Sequence, residues 1–176
     1  MVCDRMICFR MIKDHYGGLA ATDELARGGQ ITSGTRVADF CAGLGGTVRY
    51  LAHKYGAHVT GIELTPSRVA GAQELTQRVR LQDRAQVIEG NVMSVPLGDG
   101  TMDAVISQEA FCHIPDPEKA PSEAFRILRK VACWPLRIGS PISSFVPMML
   151  NFFRGRCCGN HQARSGDLNR EKACHR

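Results

Sequence analysis

The chain of 176 residues carries 22 Lys+Arg against 17 Asp+Glu, 44% hydrophobic residues and eight cysteines. That length suits one ordinary domain of roughly 100–200 residues, and the composition excludes a collagen-like repeat, a disordered chain and, with no run of about 18 apolar residues, a bilayer-spanning helix. A formal charge of +5 would suit a nucleic acid or an acidic membrane, but residues 1–130 hold 15 Lys+Arg and 15 Asp+Glu, whereas residues 131–176 hold 7 and 2.

At the N-terminus Asp4, Arg5 and Arg10 interrupt the apolar residues, so no secretory h-region forms. The expectation is a soluble, cytoplasmic protein without a membrane or nucleic-acid partner. Residues 23–26 belong to a short helix ended by Gly28-Gly29. Residues 36–41 are a first strand, closed by the turn Ala42-Gly-Leu-Gly-Gly46. Val48, Leu51 and Ala52 have helical spacing over residues 47–55, and Gly56 is a C-terminal stop.

His58–Glu63 is a second strand. Thr65 and Pro66 then open a helix reaching about residue 81, with Thr65 at the N-cap and Pro66 where a missing N–H does no harm. Ala85–Glu89 is a third strand, residues 102–107 a fourth, and residues 122–130 a helix with Ala124, Ile127 and Leu128 facing inward. Strands alternating with amphipathic stretches predict βαβ units around a parallel sheet.

Chemistry concentrates at the strand ends. Asp39-x-Cys-Ala-Gly43-x-Gly45-Gly46 follows the first strand, and Glu63 ends the second. Glycines there let backbone approach a ligand, the next helix offers free N–H groups, and an acidic residue about 20 positions on can accept both hydroxyls of a ribose. A dinucleotide fingerprint would need glycine at position 48, where this chain has Val48. Asp39 points instead to a cationic ligand, which a pyrophosphate loop would avoid. The plainer alternatives are a tight turn at the glycines, surface carboxylates at the strand ends, a turn-capping Asn91 and an ordinary loop histidine at His113.

In order along the chain, Asp39 to Gly46, Glu63, Gly90-Asn91-Val92, Pro96 and Ser107-Gln108-Glu109-Ala110 resemble the motifs of class I S-adenosylmethionine-dependent methyltransferases. The resemblance covers about residues 15–130 and implies an α/β, Rossmann-like fold. It implies that Ala42, Gly43, Gly45 and Gly46 lie against the methionine part of S-adenosyl-L-methionine, with Asp39 near its amino end. Glu63 would hold the ribose hydroxyls, Leu64 pack on the adenine, and Asn91 and Val92 meet the adenine through an amide oxygen and a backbone N–H. The segments His15-Tyr16-Gly17-Gly18-Leu19, Cys41 to Gly46 and Gln108 to Asp116 are similar to the sarcosine/dimethylglycine N-methyltransferase group. That similarity implies in-line methyl transfer from a sulfonium to a small-molecule amine, towards glycine betaine. Such a transfer rests on alignment and has no obligatory general base. Gln108, His113 and Tyr16 are the candidate catalytic residues, the first two lining the methyl-donor mouth and Tyr16 a lid over it, with Gln108 also a cofactor contact.

Regularity stops after Lys130. Residues 131–138 could be a fifth strand, but Pro135 would remove a ladder donor from its middle. Four of the eight cysteines also fall in residues 131–176. The nucleotides GGT GGC GTG CTG GCC CTT ACG GAT TGG encode Gly-Gly-Val-Leu-Ala-Leu-Thr-Asp-Trp, a turn and strand of the kind the family has here. Read from the second base, they give Val131 to Gly139 of this chain. Codon degeneracy leaves part of that match free, so a frameshifted translation and a naturally divergent tail both stand. The expected division is a helical lid at 1–34, a cofactor-binding core at 35–130 and an irregular basic tail at 131–176. Strands one to four are traceable, strands five to seven are not, and no metal site is expected, since Cys157, Cys158, His161, Cys174 and His175 lack a recognised ligand spacing.

Overall fold

A computed structural model describes residues 18–116 and 118–129. Its elements in chain order are α1 (Gly18–Gly28), β1 (Arg36–Phe40), α2 (Gly46–Tyr55), β2 (His58–Glu63), α3 (Pro66–Arg78), β3 (Ala85–Glu89), β4 (Ala104–Ile106), a 3-10 turn (Phe111–His113) and α4 (Lys119–Ile127). The four strands form one parallel sheet in the order β3-β2-β1-β4. The predicted fifth strand and the basic tail lie outside the described residues.

Each sheet face is covered, so the strands are apolar on both sides, as parallel strands under helices must be. Val37, Val59, Val87, Ala104 and Ile106 join Val48, Leu51, Val69 and Ala72 of α2 and α3 in one buried cluster. Ala38, Phe40, Ile62 and Val105 join Ala124 and Ile127 of α4 in another. The alternation along each strand puts Asp39 and Glu63 on the α2 and α3 side, since they share parity with Val37 and Val59.

Several boundaries differ from the sequence reading, each for a local reason. The first strand stops at Phe40 because Cys41 turns to φ 61. The helix α3 stops at Arg78, where Arg80 takes φ 57 and the Leu81 N–H bonds back to the Thr76 carbonyl. Position 65 is the N-cap of that helix, but the Thr65 hydroxyl makes no capping bond. The last helix starts three residues before the expected 122, because the Asp116 carboxylate accepts from the Glu118 and Lys119 N–H groups at 3.1 and 3.2 Å. Pro121 is tolerated in that first turn, whose N–H groups have no helical partner anyway. It ends at Ile127 instead of Lys130 because Leu128 bridges Met102 as extended chain, with the Arg129 N–H on the Met102 carbonyl at 2.9 Å. That bridge also keeps Met102 out of β4, which is three residues long instead of six.

The N-terminal helix is longer than expected, beginning at Gly18. It is fixed to α2 by Asp23, whose carboxylate accepts from Tyr50, Tyr55 and Lys54 at 2.7–2.8 Å. In the middle of β2, Gly61 makes room for the following layer: a Cβ there would lie 2.6 Å from the Ala42 Cβ and 2.9 Å from the Val48 Cγ2. Replacing Gly61→Ala therefore overpacks the contact between strand and glycine turn and should lower the unfolding free energy by ~1–3 kcal/mol in urea titration. A loss under about 0.5 kcal/mol, the range of neutral surface changes, would show that this contact yields freely.

Candidate functional site

The carboxyl ends of β1, β2, β3 and β4 open into a cavity of about 830 Å³, within the size range of small-molecule sites. Ligands of open α/β sheets bind at this edge, where the crossovers diverge to opposite faces. One wall is the turn after β1, contributing Cys41, Ala42, Gly43, Leu44 and Gly46. Glu63, Leu64, Asn91 and Val92 form a second wall, and Gln108, Glu109, Ala110 and His113 a third.

Glu63 is the best-held polar side chain of the cavity wall. Only 4% exposed, it accepts from the Gly43 N–H at 2.9 Å and from the Thr65 N–H at 3.0 Å, one on each carboxylate oxygen. Each oxygen keeps a second lone pair for a ligand hydroxyl. Leu64 beside it stays 67% exposed, a large apolar surface presented to the cavity for want of a protein neighbour.

Asp39 sits behind this wall, 3% exposed, and is not a lining residue. Among the described residues no donor rests on its carboxylate. Burial, and then the charge of Glu63, push its pKa up to about 8. The neighbouring Cys41 thiol is pushed up to about 11 by burial, Asp39 and Glu63, which keeps it protonated and a poor nucleophile at neutral pH.

Gly45 also faces away from the cavity. Its left-handed φ of 70° and its contact with Val87, where a Cβ would approach to 2.9 Å, make it the residue that seats the turn on the sheet. Asn91 lines the cavity, yet its amide oxygen accepts from the Met93 N–H at 2.8 Å, so it closes a turn as well. Val92 is buried and His113 exposed on the rim. Tyr16 lies outside the described residues.

The sequence reading passed over Arg49 and Arg68, which also line the cavity. Arg49 is fully buried and donates to the Leu44 carbonyl at 2.6 Å, supporting the glycine turn from within. Its signal was a charged residue among Val48, Leu51 and Ala52 on a helix face otherwise apolar. Among the described residues no cluster of three or more His, Cys, Asp or Glu has a metal-ligating arrangement, and no helix is long and apolar enough to cross a membrane.

Residues 38–132, more than half the chain, match the methyltransferase domain family. The chain belongs to that family. Over 100 residues it is 36% identical to a sarcosine/dimethylglycine N-methyltransferase of Halorhodospira halochloris, covering 57% of this chain and 36% of that protein. Over 100 residues it is also 34% identical to a 24-methylenesterol C-methyltransferase 2 of Oryza sativa subsp. japonica, covering 57% of this chain and 28% of that protein. Among solved structures, one from Galdieria sulphuraria, provisionally assigned as a sarcosine dimethylglycine methyltransferase, superposes with a TM-score of 0.61 at 29% identity, covering 64% of this chain and 43% of that one. The chain thus spans about a third of the length of the curated relatives it matches. The Rossmann-like expectation for strands one to four agrees with this likeness.

The Asp39 carboxyl gives the site a pH signature. Its folded-state pKa of about 8 lies above the ordinary 3.8, so the folded protein holds a proton that the unfolded chain releases. Stability from this group is fully present below pH about 3.8 and is lost as pH rises through about 8. Asp39→Asn should flatten the fall in denaturation midpoint across that window. Parallel midpoint curves for the two proteins would refute the assignment.

Proposed function

We propose that the chain binds S-adenosyl-L-methionine in this cavity and that the methyltransferase it represents transfers the methyl group to a small-molecule amine, of the sarcosine or dimethylglycine class. The observation that carries the reading is the pair of buried carboxyls at neighbouring strand ends, one held by two N–H groups and the other without a donor among the described residues. Two buried carboxyls so placed cannot both ionise cheaply, and Asp39 keeps its proton at neutral pH; a ligand bringing positive charge and hydroxyl donors would offset that cost, and a nucleoside with a cationic amino-acid arm has both.

The residues present fit that group. Glu63 would take the ribose hydroxyls and Leu64 the adenine face; Asn91 and Val92 would border the base. The glycine turn would follow the amino-acid arm, with the Asp39 carboxyl behind it free to ionise once a cationic arm lies above. When bound, S-adenosyl-L-methionine supplies an electrophilic methyl group on a sulfonium. The chain's own contribution is to bind, orient and exclude water, because alignment of donor and acceptor supplies most of the rate in a direct transfer. Gln108 and His113, on the third wall, would border the acceptor, and Tyr16 is proposed as part of a cover. The amine arrives as its free base, so no residue is assigned the part of general base.

Support for the amine comes from the Halorhodospira relative and from the charge balance of residues 1–130, which suits a zwitterion better than a polyanion. The sterol relative matches a stretch of the same length, so the acceptor rests on less than the cofactor does. One observation favours a second reading, a cofactor-binding chain without turnover: the family match ends at residue 132, beside the change in charge and cysteine content after Lys130. We place the protein in the cytoplasm, acting without a nucleic-acid or membrane partner.

Calorimetric titration with S-adenosylhomocysteine tests the cofactor assignment, and labelled-methyl transfer to sarcosine and dimethylglycine tests the acceptor. Binding with transfer is the expected result, and binding without transfer to any small amine selects the second reading. Glu63→Gln removes a charged acceptor and should weaken S-adenosylhomocysteine about 10-fold or more. An unchanged affinity would remove Glu63 from the site.

A further inference from the structure

Gln108 is the buried amide of the cavity wall, 7% exposed. Its Oε1 accepts from the Thr22 hydroxyl at 3.2 Å and from the Thr47 hydroxyl at 3.0 Å. Both threonines are themselves buried, at 0% and 3% exposure. Thr47 stands in the first turn of α2, directly after the glycine turn, and Thr22 is on α1. The family match begins at residue 38, so Thr22 comes from outside the matched segment while Thr47 and Gln108 lie within it.

The orientation of the amide follows from satisfying the hydroxyl protons. With Oε1 toward the threonines, both protons are used. With the amide reversed, the Thr22 proton would fall back on the Gly18 carbonyl at 3.5 Å, and the buried Thr47 proton would have no acceptor among the described residues. Leaving such a donor unmet costs about 1–3 kcal/mol. Two hydroxyls also fill both lone pairs of Oε1, so the amide cannot accept anything further. No described residue accepts from Nε2, which leaves its two N–H groups for the cavity.

We propose that Gln108 is a binding residue whose Nε2 donates to a carboxylate oxygen of a ligand, and that Thr22 and Thr47 are positioning residues that hold its amide in that sense. The helix α1 thereby enters the site through a single hydroxyl. The carboxylate belongs either to the amino-acid arm of the cofactor or to an amino-acid acceptor; these share one chemistry and are separable by experiment. The ligand half of the proposal rests on the cofactor reading above, whereas the fixed orientation of the amide does not.

The test uses the full chain with Thr22→Val, Thr22→Ser, Thr47→Val and Gln108→Glu. In ¹H–¹⁵N spectra the Gln108 side-chain NH₂ pair is identified by its absence from Gln108→Glu. It should move towards free-amide values in either valine variant and return in Thr22→Ser. Asp23→Ala, which loosens α1 without touching the hydroxyl, should leave it in place. An unmoved pair in both valine variants overturns the positioning role whether or not any ligand binds.

Titrations then locate the carboxylate. In Gln108→Glu, which sets one carboxylate against another, either S-adenosylhomocysteine binds about 10–100-fold more weakly, assigning the cofactor arm, or only dimethylglycine on the S-adenosylhomocysteine complex does, assigning the acceptor. Unchanged or tighter binding of both would mean that Oε1 faces the cavity, and overturns the donor role. Should Thr22→Val fail to fold, Thr47→Val carries the same comparison. Loss of all binding in the wild type, with the NH₂ pair still responding to the threonines, would sink the cofactor reading and the donor role, leaving only the locked amide.

Discussion

The Glu63 carboxylate ties two loops to one strand end. Its oxygens hold the Gly43 N–H of the turn after β1 and the Thr65 N–H at the start of α3. Charge-assisted bonds to backbone N–H groups are among the stronger hydrogen bonds in proteins, and here they fix the separation of two cavity walls. The other polar features of the site depend on that frame. Asp39 faces the same side of the sheet from the neighbouring strand, where burial first and then the Glu63 charge raise its pKa. Placing one carboxylate for structure thus adds to the demand that burial already puts on the other.

Small residues make that arrangement possible. Gly61 lies beside Asp39 in the β1–β2 register, and its missing side chain admits Ala42 and Val48. Gly45 closes against Val87 on the same face. Together they let the turn sit low on the sheet, so that Gly43 comes within reach of Glu63. Their part is to bring backbone donors to a fixed carboxylate, and the contact is intolerant because packed interiors do not deform continuously.

The sequence carried most of this frame but not its fine placement. The second and third strands are found over the residues expected, because apolar runs bounded by glycine, proline and charged residues leave little choice. The last helix was displaced because its start depends on Asp116, three residues before its first residue, and its end on a bridge to Met102, 26 residues from Leu128. Local periodicity records neither. The same limit explains the site. Glycine spacing marks the turn, yet only the sheet contact tells Gly45 apart from Gly43 and Gly46. Arg49 escaped notice because a buried arginine on an apolar helix face reads as an exposed interruption.

Two of the polar groups assigned to a ligand stand on opposite sides of the glycine turn, which bears on how a zwitterion would lie between them. The Glu63 carboxylate stands at the end of β2 and the donor assigned to Gln108 lies past the end of β4, with Arg49, Arg68 and Glu109 also on the walls. Since β1 lies between β2 and β4 in the sheet, Glu63 and Gln108 stand on either side of the glycine turn. A ligand with an ammonium and a carboxylate on one carbon would span that divide with opposite charges on opposite sides. An apolar acceptor would draw nothing from it. On the reading proposed above, relatives named for sterols would share the strand ends and the turn, and discrimination between acceptors would fall to the walls beyond β4, where Gln108 is held by a hydroxyl from a helix outside the matched family segment.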